Sequence, residues 1–325
     1  MKILFNGCSG YLGQHFLYSL LQNVKDDDIY ALFSSNNDFQ SSVTSHPVFN
    51  HENKKRVNLI FAKVDLTNEL DIDTFFREHS DPPFDICFHI AALSSPKDCH
   101  ENETKARLVN VPIYFFEKLR HVPIVGLSTD QVYCGAKAPY DDSSIPSPVN
   151  IYGQTKLEME HAILHDDLRT KPAICLRSSI ILGPHAPFGN AHSTFLHFCK
   201  SRKDQETTFF TDEIRSVISV PDVVKVLFYF YTSVENGTFH VMKSRVYNMG
   251  GKDMVSRMDI ANAVAKACDF STDSFIPALK AEQGSNDFNA LRSPLDISMI
   301  SSQLEELVQT QFHSLVDIVR LSLIG

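Results

Sequence analysis

Tryptophan is absent from the 325 residues, so no indole is available as a stacking platform for a base. The seven cysteines, at 8, 87, 99, 134, 175, 199 and 268, are odd in number, scattered and without a Cys-x-x-Cys pair. That pattern argues against a disulfide framework and predicts a reduced, cytoplasmic compartment, with most of the thiols acting as small core residues. Positive charge is in deficit: the net charge of −9 argues against a nucleic-acid surface. Long apolar runs are missing too. The most apolar stretch, Val223 to Tyr231, contains Lys225 and is far too short to span a bilayer. The opening segment lacks an uninterrupted apolar region and is broken by Gly7, Gly10 and Gly13, so it is read as fold rather than as a signal peptide. No repeat period is visible. His185, His192 and His197 cluster without the His-x-x-x-His and Glu spacing of a metal site, which leaves them as pocket or surface residues and predicts no metal. What remains, 43% hydrophobic and 21% charged, is an ordinary soluble globular composition, long enough for one large or two modest domains.

What is present centres on the stretch from Ser128 to Lys156. An apolar run (Ile124, Val125, Leu127) ends in the hydroxyls of Ser128 and Thr129, and Tyr152 and Lys156 follow four residues apart. On a helix they share one face. An ammonium beside a phenol favours the phenolate, and a fall of roughly three units from the usual tyrosine value, about 4 kcal/mol, would let Tyr152 act as acid or base near neutrality. The spacing alone is weak. With ten tyrosines and eighteen lysines it arises by chance about 0.5 times, and Tyr114 with Lys118 repeats it on an ordinary amphipathic pattern.

Context supplies the discrimination. Lys2 to Asn6 reads as a strand running into Gly7-Cys8-Ser9-Gly10-Tyr11-Leu12-Gly13 and then a helix with Leu12, Phe16, Leu20 and Leu21 at helical spacing. Strand, glycine turn and helix N-terminus together make a phosphate cradle. Further strands are expected at 29–33, 57–64, 85–90 and 123–127, alternating with helices, one of them from about 104 to 121. The second strand ends in Ser34, with no carboxylate until Asp38, which favours NADP(H) over NAD(H). The polar run 34–56 reads as an exposed loop. The third strand ends at Asp65-Leu66, where the carboxylate either reads an adenine edge or caps a helix. The fourth ends in Ala91-Ala92, small enough for a flat cofactor to lie against. This alternation predicts an α/β fold, a doubly wound parallel sheet of the Rossmann type, with the candidates along its carboxyl edge. Later helices are expected over 221–234, 256–268 and 311–323, with a strand at 246–249.

These motifs, together with Leu176-Arg177-Ser178, Gly183-Pro184, Val220-Pro221-Asp222-Val223 and Tyr247-Asn248-Met249-Gly250-Gly251, resemble the extended short-chain dehydrogenase/reductases. Pro148 to Glu158 and Arg292 to Ser298 are similar to the dTDP-4-dehydrorhamnose reductase branch, which includes the regulatory beta subunit of methionine adenosyltransferase. The resemblance covers nearly the whole chain. It implies a dinucleotide-binding domain of 1–178 plus about 217–249, and a smaller C-terminal α/β substrate domain of about 179–216 plus 250–325.

The resemblance also implies roles. Tyr152 would exchange the hydroxyl proton, Lys156 would hold the nicotinamide ribose, and Thr129, with Ser128 as alternative, would bond the substrate oxygen. Gly7, Cys8, Gly10, Tyr11, Leu12, Gly13, Ser34, Asp65, Leu66, Ala91 and Ala92 would contact the cofactor. Asn110 would order a proton path or merely satisfy backbone. Gln131 stands where the branch carries an aromatic residue and His89 where many relatives have Asn; Arg215 and Arg292 would grip a diphosphate or form surface ion pairs. Three functions stay open: an NADP(H)-dependent reductase of a 4-keto sugar nucleotide or similar carbonyl compound, a non-catalytic subunit bound to the methionine adenosyltransferase catalytic subunit, and a cofactor-binding redox sensor. A homodimer is compatible with each.

Overall fold

The chain builds a central sheet from segments apolar on both faces, as buried parallel strands require. The computed structural model describes residues 1–35, 38–49, 57–164, 167, 169–189, 191–243, 245–283 and 292–324. Its strands are β1 (Lys2–Asn6), β2 (Asp27–Phe33), β3 (Val57–Lys63), β4 (Ile86–His89), β5 (Ile124–Thr129), β6 (Ala173–Ser178), β7 (Ile181–Leu182), β8 (Thr207–Phe210), β9 (Ile218–Ser219), β10 (Arg245–Met249) and β11 (Phe275–Ala278). Seven of them form one parallel sheet in the order β10-β6-β5-β4-β1-β2-β3. The chain runs outward from β1 through β2 to β3, then crosses to β4 on the other side. That reversal opens a crevice at the carboxyl ends of β1 and β4, where ligands of such sheets bind.

Alternation along β1 shows how the two faces are covered. Ile3 and Phe5 join the core under the helices Tyr11–Asn23 and Val220–Glu235, with Phe16, Leu20, Val226 and Phe230. Leu4 faces the opposite core, with Phe75, Phe115, Met159 and Cys175, under the helices Glu69–His79, Ile113–Lys118 and Ile151–Leu164. A third core gathers Leu182, Leu196, Phe209, Ile260, Val264, Phe275 and Ile318 around the β8–β11 pair. It is the smaller C-terminal α/β layer, covered by the helices Phe195–Ser201, Arg257–Ala267 and Leu315–Leu323. All seven cysteines are free, five of them buried. No helix among the described residues is long and apolar enough to cross a membrane.

Three expectations need correction. The helix expected from 104 to 121 is two, Glu103–Asn110 and Ile113–Lys118, because Pro112 has no N–H to donate and disfavours helix at Val111. Within the polar run expected as loop lies the helix Phe39–Thr44, which buries Phe39 and Val43 at i and i+4. Part of that run, 36–37 and 50–56, lies outside the described residues. The last helix starts at Leu315 rather than near 311, where Ser314 and Asp317 close a reciprocal cap.

Candidate active site

The glycine turn sits where β1 meets the crevice. Gly7 has a φ of +75°, and a Cβ on it would lie 2.7 Å from the Ala91 nitrogen. A Cβ on Gly13 would lie 2.1 Å from the Gly7 carbonyl oxygen, whereas one on Gly10 would find 3.3 Å. The first and third glycines are therefore obligatory for this turn, and the second keeps the helix entrance open. Gly10 is the N-cap of Tyr11–Asn23 and offers no side-chain acceptor, so the first-turn N–H groups face the crevice without a capping side chain or a neighbouring acid. This is what a pyrophosphate needs. Behind the turn, Cys8 is buried and Leu12 is in the core. Tyr11 donates its hydroxyl to the Pro184 carbonyl at 2.9 Å.

Asn6 fixes the neighbouring strand end. Its Oδ1 accepts the N–H of Ile90 and of Ala91 at 2.9 and 2.8 Å, and its Nδ2 donates to His89 Nδ1 at 2.8 Å. Ala91 and Ala92 are thereby held beside the glycine turn. His89 is fully buried, and burial, with Lys156 nearby, pushes its imidazole well below the ordinary range. Ser34 is exposed at the end of β2. Asp65 is exposed and is not the helix cap: its Oδ1 accepts the N–H and hydroxyl of Thr67 at 2.9 and 2.8 Å, and Asn68 caps Glu69–His79. Leu66 packs against the second core.

Tyr152 and Lys156 stand one turn apart on Ile151–Leu164, and Thr129, at the end of β5, lies beside the Tyr152 phenol. Their electrostatics differ from the expectation. Burial pushes the Tyr152 phenol above its ordinary value; Thr129 opposes this, and Asp130 and Cys99 add to it. The Lys156 ammonium is 1% exposed and points at Met159 Sδ, 3.2 Å away. Burial pushes this amine down to about 8, against Cys175, Glu160 and Cys99. The lookalike pair is a surface feature: Tyr114 and Lys118 both bind Asp73, at 2.8 and 2.6 Å.

Asn110 clamps the helix from below. Its Oδ1 accepts the Leu93 N–H at 2.7 Å, and its Nδ2 reaches the Leu93 carbonyl at 3.1 Å and Thr155 Oγ1 at 2.9 Å. It satisfies backbone and ties the loop after β4 to the turn that carries Lys156.

Ser128 belongs to a different assembly. It is buried and donates to Glu160 Oε1. Arg177 grips the same carboxylate with Nε at 3.0 Å and Nη2 at 2.7 Å, donates Nη1 to the Tyr133 hydroxyl at 2.9 Å, and Tyr133 donates to Asn248 Oδ1 at 2.7 Å. The network joins β5, the Tyr152 helix, β6 and β10. Glu160 was missed in the sequence, although it stands four residues after Lys156 on one helix face.

Arg215 is likewise spent. At 2% exposure it donates Nη1 to the carbonyls of Ile214 and Leu295, both at 2.7 Å, and Nη2 to the Pro294 carbonyl at 2.9 Å and Glu213 Oε1 at 3.2 Å. It braces the segment after Arg292 and has no fork left for a diphosphate. Gln131 accepts Asn150 Nδ2 at 2.8 Å, and the same amide reaches the Arg292 carbonyl at 3.1 Å, which brings both residues to the N-terminus of the Tyr152 helix. His185 and His197 stack at 3.7 Å between ring centres, with His192 against Tyr11 at 6.0 Å. Among the described residues, no group of three or more His, Cys, Asp or Glu side chains is placed to hold a metal ion.

The family model described as the RmlD substrate binding domain matches residues 1–320. Methionine adenosyltransferase 2 subunit beta of Xenopus tropicalis is 24% identical over 184 residues, 57% of this chain and 52% of that protein. The dTDP-4-keto-6-deoxy-D-glucose reductase of Streptomyces niveus is 30% identical over 127 residues, 38% of this chain and 42% of that protein. The alignments thus span about half the length of these curated relatives. The crystal structure of dTDP-4-dehydrorhamnose reductase from Bacillus anthracis in complex with NADP superposes with a TM-score of 0.72 at 18% identity, covering 99% of this chain and 98% of that one.

Proposed function

The chain belongs to the RmlD substrate binding domain family, and from that premise we propose that it is an NADP(H)-dependent reductase of a 4-keto sugar nucleotide or a similar carbonyl compound. The observation that carries this reading is the Thr129 hydroxyl brought to the Tyr152 phenol at the carboxyl edge of the sheet, beside an uncapped helix N-terminus. Gly7, Cys8, Gly10, Tyr11, Leu12 and Gly13 would hold the pyrophosphate, Ser34 the adenosine ribose side, Asp65 and Leu66 the adenine, and Ala91, Ala92 and Lys156 the nicotinamide half. The Ser34 hydroxyl, with no carboxylate beside it in the sequence until Asp38, favours NADP(H). Bound, the cofactor supplies the hydride. Tyr152 donates the proton that completes the alcohol, and its raised pKa suits it as an acid toward a developing alkoxide. Thr129 orients the carbonyl oxygen. Gln131 and Arg292 border the substrate side, which we assign to 179–216 with 250–325, and the 1–178 and 217–249 segments to the cofactor.

NADPH oxidation with a panel of 4-keto sugar nucleotides and small ketones tests the reading. Tyr152→Phe is expected to lower turnover at least a hundredfold while binding NADPH as the wild type does. Equal turnover in the variant removes Tyr152 from the chemistry.

A second reading is favoured by one observation, the Lys156 ammonium turned toward Met159 Sδ. On that reading the chain is an NADP-binding regulatory subunit of a methionine adenosyltransferase, as the name of the Xenopus relative suggests, in the cytoplasm. It predicts co-purification with the synthetase that survives Tyr152→Phe; loss of the complex in that folded variant counts against it.

A further inference from the structure

Lys63 is the last residue of β3 and is exposed at the carboxyl edge of the sheet. The parallel register sets it opposite Phe33, the last residue of β2. The pairing holds for one step more, with the Val64 N–H donating to the Phe33 carbonyl at 2.9 Å. Neighbouring strands lie about 4.8 Å apart, so Lys63 stands one strand away from the point where the chain leaves the sheet at Ser34. The two are distant in sequence, and the register brings them together.

Alternation gives the side of the sheet from which Lys63 rises. On β3, Val57, Leu59 and Phe61 pack against the first core, and Ile60 and Ala62 against the second. Lys63 therefore falls on the first-core side, as Phe33 does on β2. That is the side of the helix Tyr11–Asn23, which the glycine turn enters. The turn is itself tied to β2, because the Cys8 N–H donates to the Leu32 carbonyl at 3.3 Å. Phe39 covers the same side, its ring centre 6.2 Å from that of Phe33 and 5.9 Å from that of Phe61.

A dinucleotide whose pyrophosphate rests on that turn carries its adenosine ribose out over the end of β2. There NAD(H) presents a 2′-hydroxyl and NADP(H) a 2′-phosphate, and charge is what separates them. The Ser34 hydroxyl can bond either. With a net charge of −9 the protein as a whole repels an added phosphate, so a preference for it needs a cation within a Debye length. The sequence from Ser34 to Phe49 contains no lysine or arginine.

We propose that Lys63 is the residue that sets cofactor specificity: from the neighbouring strand it supplies the cation for a 2′-phosphate, with the Ser34 hydroxyl as a second donor. The assignment rests on the cofactor site proposed above and holds for either reading of what the protein does with the cofactor.

The test titrates NADPH and NADH into the whole protein by fluorescence, without substrate. Wild type is expected to bind NADPH more tightly. Lys63→Met removes the charge and keeps the length of the side chain; it is expected to weaken NADPH by about tenfold or more, the worth of a charge-assisted bond, and to leave NADH as in wild type. Lys63→Arg is expected to restore the preference. Lys25→Met, which removes the same charge before the amino end of β2, is expected to change neither affinity. Calorimetry with 2′,5′-ADP and 5′-AMP repeats the comparison on the adenosine half alone. Equal affinity of wild type for NADPH and NADH overturns the proposal, as does an equal loss for both in Lys63→Met or the same loss in Lys25→Met. A Lys63-dependent preference for NADPH in a protein that reduces no carbonyl would end the reductase reading and leave this assignment standing. Carbonyl reduction with NADH preferred would do the reverse.

Discussion

Replacing Lys156 by methionine separates what this side chain does for the fold from what it does for the site. From an ordinary value of 10.5, burial pushes the Lys156 amine down to about 8. At about 1.4 kcal/mol for each tenfold change, the ammonium costs the folded chain roughly 3 kcal/mol, with no discount for solvent because the side chain is 1% exposed. Methionine has a similar length and no charge, and it meets Met159, now facing the ammonium at 3.2 Å. Lys156→Met is therefore expected to be more stable than wild type by about 3 kcal/mol at pH 7. The sign of the pH dependence follows. Below about pH 8 the lysine is charged in folded and unfolded chains alike, and the full cost is present. Between about 8 and 10.5 the folded chain has released its proton and the unfolded chain has not, so wild type gains stability as pH rises. Above that window the cost is gone. Urea unfolding of both proteins from pH 7 to 10.5 reads the difference directly. A variant no more stable than wild type at pH 7, or an advantage that fails to shrink toward pH 10.5, would refute the reasoning. The same substitution is expected to weaken NADPH binding, the usual exchange between stability and function at such sites.

Glu160→Ala should be among the most damaging single changes, because it strands the 4% exposed Arg177 guanidinium without its carboxylate; a loss of about 3–5 kcal/mol in denaturant unfolding is expected, and a loss under 1 kcal/mol would mean that water replaces the pair. Gly13→Ala places a Cβ 2.1 Å from the Gly7 carbonyl oxygen, so NADPH fluorescence titration should show affinity reduced by at least a hundredfold. Gly189→Ala is its control: that glycine has a φ of +74° and open space around its Cβ position, so it should cost stability of about 1 kcal/mol with little change in NADPH binding.

The sheet was legible because burial on both faces writes itself as continuous apolar runs such as Lys2 to Asn6, and the cradle because Gly7 and Gly13 stand where no Cβ fits. Side-chain allegiance was not legible. Ser128 and Thr129 are neighbours with the same functional group, yet strand alternation sends one inward to Glu160 and the other toward Tyr152. Arg215 reads as a free cation until Leu295, eighty residues later in the sequence, supplies a carbonyl to it. The Tyr152–Lys156 spacing places two side chains on one face without stating where the ammonium points, and Met159 decides that. Pro112 was present in the expected helix and should have divided it.

Gln14, directly after the last glycine of the turn, is fully buried, and its amide is shared between Ser9 and the distant residues Phe188 and Gly189. Those two partners lie 174 and 175 positions along the chain, and the Pro184 partner of Tyr11 lies 173. The first helix therefore cannot finish its own hydrogen bonding until more than half of the polypeptide has been made. In a fragment carrying only the opening strand, turn and helix, the amide would keep its bond to the Ser9 carbonyl and lose those to Phe188 and Gly189. The glycine turn and first helix of this protein are thus not a portable module: they mature late, by high-contact-order closure, and would lose these bonds if grafted onto another sheet without the segment of chain that crosses behind them.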